Sequence, residues 1–104
     1  MIKHIVLWRL KEQAENRTKM ENARRIQTQL QALNGKIPGL IKLEVGINFA
    51  MDECSADIVL YSEFESRAAL ENYHSHPDHV AIKPLVLACR SERRVADYET
   101  GSSQ

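Results

Sequence analysis

The chain has no surplus of charge, few cysteines and no long apolar run, and each absence removes a class of function. Its 14 lysines and arginines balance 14 aspartates and glutamates, so no net field draws it to nucleic acid or to an anionic membrane surface. Its 2 cysteines, Cys54 and Cys89, stand far apart and in no metal-ligand spacing. That excludes a disulfide framework and a zinc module, and two free thiols in a reducing cytoplasm are the expectation. No apolar run approaches the roughly 20 residues of a membrane span. The start lacks the basic, apolar and small-residue succession of a secretory signal. No repeat, linker or low-complexity segment interrupts the chain. What remains is 104 residues, 43% hydrophobic and 27% charged, which suits one soluble globular domain. A chain this short buries only about two-thirds of its unfolded surface and often completes that burial against a partner.

The hydrophobic pattern sets out six elements. "IKHIVLWRL", Ile2 to Leu10, reads as a strand with His4, Val6, Trp8 and Leu10 on one face and Ile5 and Leu7 on the other, so both faces need cover. "TKME" fits a capping box, with Thr18 as cap and Glu21 reaching back, and opens a helix. Met20, Ala23, Ile26, Leu30 and Leu33 form its apolar stripe, and Gly35 is placed to end it. Ile41, Leu43, Val45 and Ile47 alternate with polar residues, as in a strand with one wet face or near an edge. Asp57 to Phe64 is a further strand. Ser66 caps a helix that turns Ala69, Leu70 and Tyr73 inward. That helix ends near His74, and Pro77 starts another that runs to about Ala88 and is irregular at Pro84. For the basic run "RSERR" a solvated start to the last strand, Arg93 to Glu99, stands ahead of an anion site, and residues 100–104 read as a disordered tail after a domain spanning 1–99. The order strand, helix, strand, strand, helix, strand is the split pattern of an α+β, ferredoxin-like βαββαβ sandwich. Helices on one sheet face leave the other exposed and apolar, so a second copy is expected to cover it.

Chemistry concentrates in "YHSHPDHV", Tyr73 to Val80, where three histidines surround Pro77. As a metal site, the spacing supplies three imidazoles. Pro77, however, divides two helical segments, and Asp78 is the sole further donor close by. As a structural device, His76 caps the helix begun by Pro77, and His79 accepts from a free first-turn N–H. His74 and His76 are then solvated. As a catalytic site, the helix N-terminus disfavours the imidazolium of His79 and keeps it available as a general base. Tyr73 then offers a hydroxyl to an oxyanion, Asp97 a carboxylate that orients His79, and His4 a further wall. On the residues alone, a buried polar network that fixes the helix junction stands ahead of catalysis.

"KHIVLWRLK", "IPGL" followed by "EVG", "DIVLYSEFES" with its trailing "HPDHV", and "VADYE" together resemble the stress-responsive dimeric α/β-barrel domain (Dabb) over Ile2 to Glu99. The resemblance implies a ferredoxin-like subunit and a homodimer, a dimeric α+β barrel formed by sheets packed face to face. The family includes plant stress-induced proteins without established chemistry. It also includes a plant polyketide cyclase that works by aldol condensation, without cofactor or metal, in a pocket between sheet and helices. In that cyclase the histidine of H-P-x-H is the base, and a tyrosine six residues before it assists. By motif these fall on His79 and Tyr73. Its first-strand histidine falls on His4, with Val6 and Trp8 as further pocket positions, and its D-Y aspartate falls on Asp97, which would hold His79. Two positions depart from it: Ile58 stands where the cyclase has a further pocket histidine, and Trp8 where it has a smaller residue. The motifs also occur in family members without known activity. The resemblance therefore implies either a cofactor-independent, cyclase- or lyase-like acid–base catalyst acting on a small carbonyl compound, or a non-catalytic stress-associated protein whose His/Tyr/Asp network is structural. The histidine placement does not favour a haem-handling barrel of another family.

Overall fold

Alternate residues of the first apolar run point to one side, and the computed structural model, which describes residues 1–101, buries that side. Strand β1 (Ile2–Leu10) hides Ile2, His4, Val6, Trp8 and Leu10. A small hairpin follows, β2 (Gln13–Ala14) and β3 (Arg17–Thr18), which the sequence pattern did not indicate. It turns on Glu15 and Asn16, with φ of 55° and 60°, the two left-handed residues that a tight hairpin turn requires.

Helix α1 (Lys19–Gln31) begins with the expected capping box between Thr18 and Glu21. Ala23, Ile26 and Leu30 are buried along it, and Leu33 just beyond, while Met20 falls outside the stripe and is exposed. The helix stops at Gln31, ahead of Gly35, and the chain turns through that glycine at φ 81°. The polar side of its C-terminal half is used on strand β4 (Leu40–Ile47). Asn34 both accepts from Leu43 N–H and donates to Leu43 C=O. Gln31 accepts from Val45 N–H, and Gln27 donates to Val45 C=O. These amides occupy the open edge of β4, which would otherwise invite another strand. Ile41 was expected inward, but a register shift between Leu40 and Lys42 throws it outward, and it is exposed.

Strand β5 (Ile58–Phe64) alternates as expected. Ser66 caps α2 (Arg67–Ser75), which buries Ala69, Leu70 and Tyr73. The helix expected from Pro77 to Ala88 is two pieces, α3 (Pro77–Val80) and α4 (Lys83–Cys89). The break falls ahead of Pro84, which then sits in the first turn of α4, where a missing N–H costs nothing. Strand β6 (Arg90–Glu99) starts three residues before the expected Arg93. Of the expected tail, 102–104 lie outside the described residues, and Thr100 N–H donates to Met1 C=O at 3.0 Å.

The main sheet has the order β4-β5-β1-β6, and its neighbours are antiparallel. With the helices on one face, this is the ferredoxin-like α+β fold. The core lies between that face and the helices, where Ile26, Ile58, Phe64 and Tyr73 are fully buried. On the opposite face Leu7 is 41% exposed, and Ile5, Val59 and Tyr61 are half-buried around it.

Candidate functional site

Sheet and helices separate around a cavity of about 280 Å³. From the sheet, His4, Val6 and Trp8 on β1 and Leu60 on β5 form one wall. From the helices come Leu30, Tyr73, His74, His79, Ile82 and Val86. Five of the six sequence-predicted site residues (His4, Val6, Trp8, Tyr73 and His79) therefore meet at one place. The sixth, Asp97, lies outside the cavity wall.

The chemistry begins with a nest of rings. Tyr73, on the last turn of α2, lies 4.2 Å from His79 between ring centroids, 5.5 Å from His74 and 6.1 Å from His4. The Tyr73 ring is fully buried, yet among the described residues its hydroxyl has no hydrogen-bond partner, and neither has Trp8 Nε1. Burial pushes the Tyr73 hydroxyl pKa up, partly opposed by the positive charge of Arg93. It therefore stays protonated and is a hydrogen-bond donor near neutral pH.

His79 is held by the chain beside it. Its Nδ1 lies 3.2 Å from the carbonyl oxygen of His74. A carbonyl only accepts, so Nδ1 carries the proton, and Nε2 is the basic nitrogen of the neutral ring. Burial drives the His79 pKa down to about 4, aided by Lys83, His74 and His4 and opposed by the bond to the His74 carbonyl. The ring is neutral as the sequence predicted, but burial is the main cause rather than the short helix it sits on. His79 does not take up a first-turn N–H. His76 does that, accepting from Asp78 N–H.

Asp97 was expected to orient His79 and does not. It stands directly across the β1–β6 ladder from His4, on the same face, and its Oδ1 is hydrogen-bonded to His4 Nδ1. The register commits the carboxylate to β1, and the backbone of α2 takes over the orienting of His79. His74, expected in solvent, turns into the ring nest, 5.3 Å from His4, and burial lowers its pKa. Trp8 forms part of the wall and leaves the cavity open. Ile58 is buried opposite Trp8 and does not reach the cavity. Among the described residues, no three His, Cys, Asp or Glu side chains converge as ligands for a metal ion.

Three side chains outside the sequence-predicted site, Lys83 on α4 and Arg90 and Arg93 on β6, form the outer wall of the same cavity. For the two arginines the signal was present in "RSERR", but its direction depends on register, and Lys83 gave none. Arg93 faces the cavity because it pairs with Trp8.

Comparisons with known proteins agree with this architecture. The family model described as "Stress responsive A/B Barrel Domain" matches residues 2–100. A dimeric protein of unknown function and ferredoxin-like fold from Bacteroides fragilis is 33% identical, with a TM-score of 0.81 and 95% of each chain covered. A dimeric ferredoxin-like protein of unknown function from Thermobifida fusca is 20% identical, with a TM-score of 0.81, covering 95% of this chain and 90% of its own. The hydroxynitrile lyase of Passiflora edulis is 20% identical, with a TM-score of 0.77, covering 99% of this chain and 95% of its own. A comparison with curated proteins found no match.

Proposed function

Since the chain belongs to the stress-responsive A/B barrel domain family, we propose that it binds a small carbonyl compound in the cavity beneath its helices and abstracts a proton next to the carbonyl. His79 Nε2 is the base. The Tyr73 hydroxyl donates to the oxygen on which negative charge develops, a role for a preorganised donor in a dry site. His4, fixed by Asp97, packs the back of the nest, and Val6 and Trp8 shape the pocket. No cofactor is needed for such a step. The observation that carries this reading is the orphaned, buried Tyr73 hydroxyl of a residue that lies beside a neutral His79 and, with it, lines the cavity. A purely structural network would have satisfied that hydroxyl. The cavity is near the lower end of ordinary ligand sites, roughly 300 Å³ upward, which favours a small ligand. The Passiflora likeness supports the fold as a host for an active site and, at 20% identity, nothing finer.

We also infer a homodimer formed through the sheet face opposite the helices, where Ile5, Leu7, Val59 and Tyr61 are incompletely covered. Relatives described as dimeric support it. The free thiols Cys54 and Cys89 fit a cytoplasmic setting.

Exchange of the α-protons of diethyl ketone in D₂O, followed by NMR, tests the chemistry. The protein is expected to accelerate it. His79→Ala should remove about 100-fold of that acceleration, and Tyr73→Phe about tenfold or more. Equal exchange with the wild type and with His79→Ala would sink the proposal.

A further inference from the structure

We propose that the ligand of this cavity is a small oxo acid, whose carboxylate is gripped by Lys83, Arg90 and Arg93 while its carbonyl lies at Tyr73 and His79. This rests on the preceding reading for the carbonyl end alone.

The cavity is divided by chemistry. Its inner end is buried and aromatic, and its outer wall carries three cations and no carboxylate. None of the three forms a salt bridge among the described residues. Arg9, Lys11, Arg17, Arg24 and Lys36 also form none among the described residues, but those five are scattered and do not line the cavity. Arg94, next to Arg93, pairs with Glu92 at 3.5 Å, Arg67 pairs with Glu99, and Arg25 with Glu15. Three unpaired cations around one hole repel each other, and an anion between them removes that repulsion. The two arginines present planar forks that match a carboxylate.

The remaining polar groups point to the same chemistry. Trp8 Nε1 and the Tyr73 hydroxyl are buried donors without acceptors, and both residues line the cavity. With Lys83, Arg90 and Arg93 they make a lining that is rich in donors, beside the ring nitrogens of His4, His74 and His79. A ligand that satisfies it must bring acceptors, as a carboxylate and a keto oxygen do. Between the two polar ends, Val6, Leu30, Leu60, Ile82 and Val86 offer an apolar wall for a short carbon chain. Arg93 stands across the ladder from Trp8, which links the cationic end to the inner end along a single pair of strands.

Calorimetric titration of the full chain with levulinate, with methyl levulinate and with inorganic phosphate tests the assignment. Levulinate is expected to bind about tenfold or more tighter than its ester. That gap should close in Arg90→Met/Arg93→Met and shrink in Lys83→Met, and it should narrow at high salt. These positions are on the open side of the cavity, and thermal melts check that the variants fold. Equal affinity for acid and ester, or a gap that persists in the double variant, overturns the proposal. Phosphate competing as well as levulinate overturns the carboxylate assignment. A clear preference for the acid, with α-proton exchange unaffected by His79→Ala, leaves this inference standing and removes the catalytic reading. Equal acid and ester affinities, with exchange lost in His79→Ala, do the reverse. Binding of neither compound overturns both.

Discussion

Tyr73 carries a fully buried hydroxyl that the fold leaves without a partner. An unmet donor of this kind is a cost to stability, so removing it should not weaken the protein. Tyr73→Phe is expected to melt within about 1 kcal/mol of the wild type, or above it, while ligand binding and exchange fall. Urea unfolding alongside the exchange assay separates the two effects. His79 gives a second prediction at this scale. In the fold its pKa is near 4, against 6.5 for the exposed ring. Between those values the unfolded chain binds a proton that the folded chain does not. Stability is therefore complete above about pH 6.5 and declines as the pH falls toward 4. His79→Ala should flatten that decline, leaving the smaller part that His74 contributes in the same direction, as urea midpoints across the pH range would show. Of the candidate residues, the sequence made Tyr73 and His79 legible because their motif spacing survives folding. The partner of Asp97 was not legible, because it is decided by which residue of β1 lies opposite, and that register emerges only when the strands pair.

The ring nest sits on the last turn of α2, so the seating of that helix on the sheet decides the site. Gly39, at φ 82°, precedes β4, and a side-chain carbon there would come within 2.4 Å of Ala69 Cβ on α2. The Gly39 carbonyl also accepts from Glu65 N–H. Gly39→Ala forces both left-handed strain and a clash. It should destabilise the protein by about 2 kcal/mol or more and lower ligand affinity by shifting Tyr73, read by melting and titration together. Helix starts were the most legible features of the chain, since Thr18 with Glu21 and Ser66 announce themselves locally. The hairpin on Glu15 and Asn16 gave no such sign, because neither residue advertises a left-handed turn as glycine would. The outward Ile41 was equally hidden, since a bulge breaks the alternation that the sequence displays.

For the whole molecule, the decisive surface is the open sheet face. Its apolar alternation was legible because β1 carries large side chains on both sides. Leu7→Glu places a charge at the centre of that face, and sedimentation should then report single chains in place of pairs. The cavity is on the other side of the sheet, so the single chain should still bind levulinate if it remains folded.

Strand β6 is an edge strand, held by β1 alone. Edge strands are where sheets open locally and amide protons exchange first. Here that strand bears Arg90 and Arg93 near one end and Asp97 toward the other. An anion bound against α4 would fasten this edge of the sheet to its helical layer. Occupancy of the hole would then slow the breathing of a strand whose other anchor, Asp97, keeps His4 in place, and the grip on a ligand and the firmness of the nest would rise together.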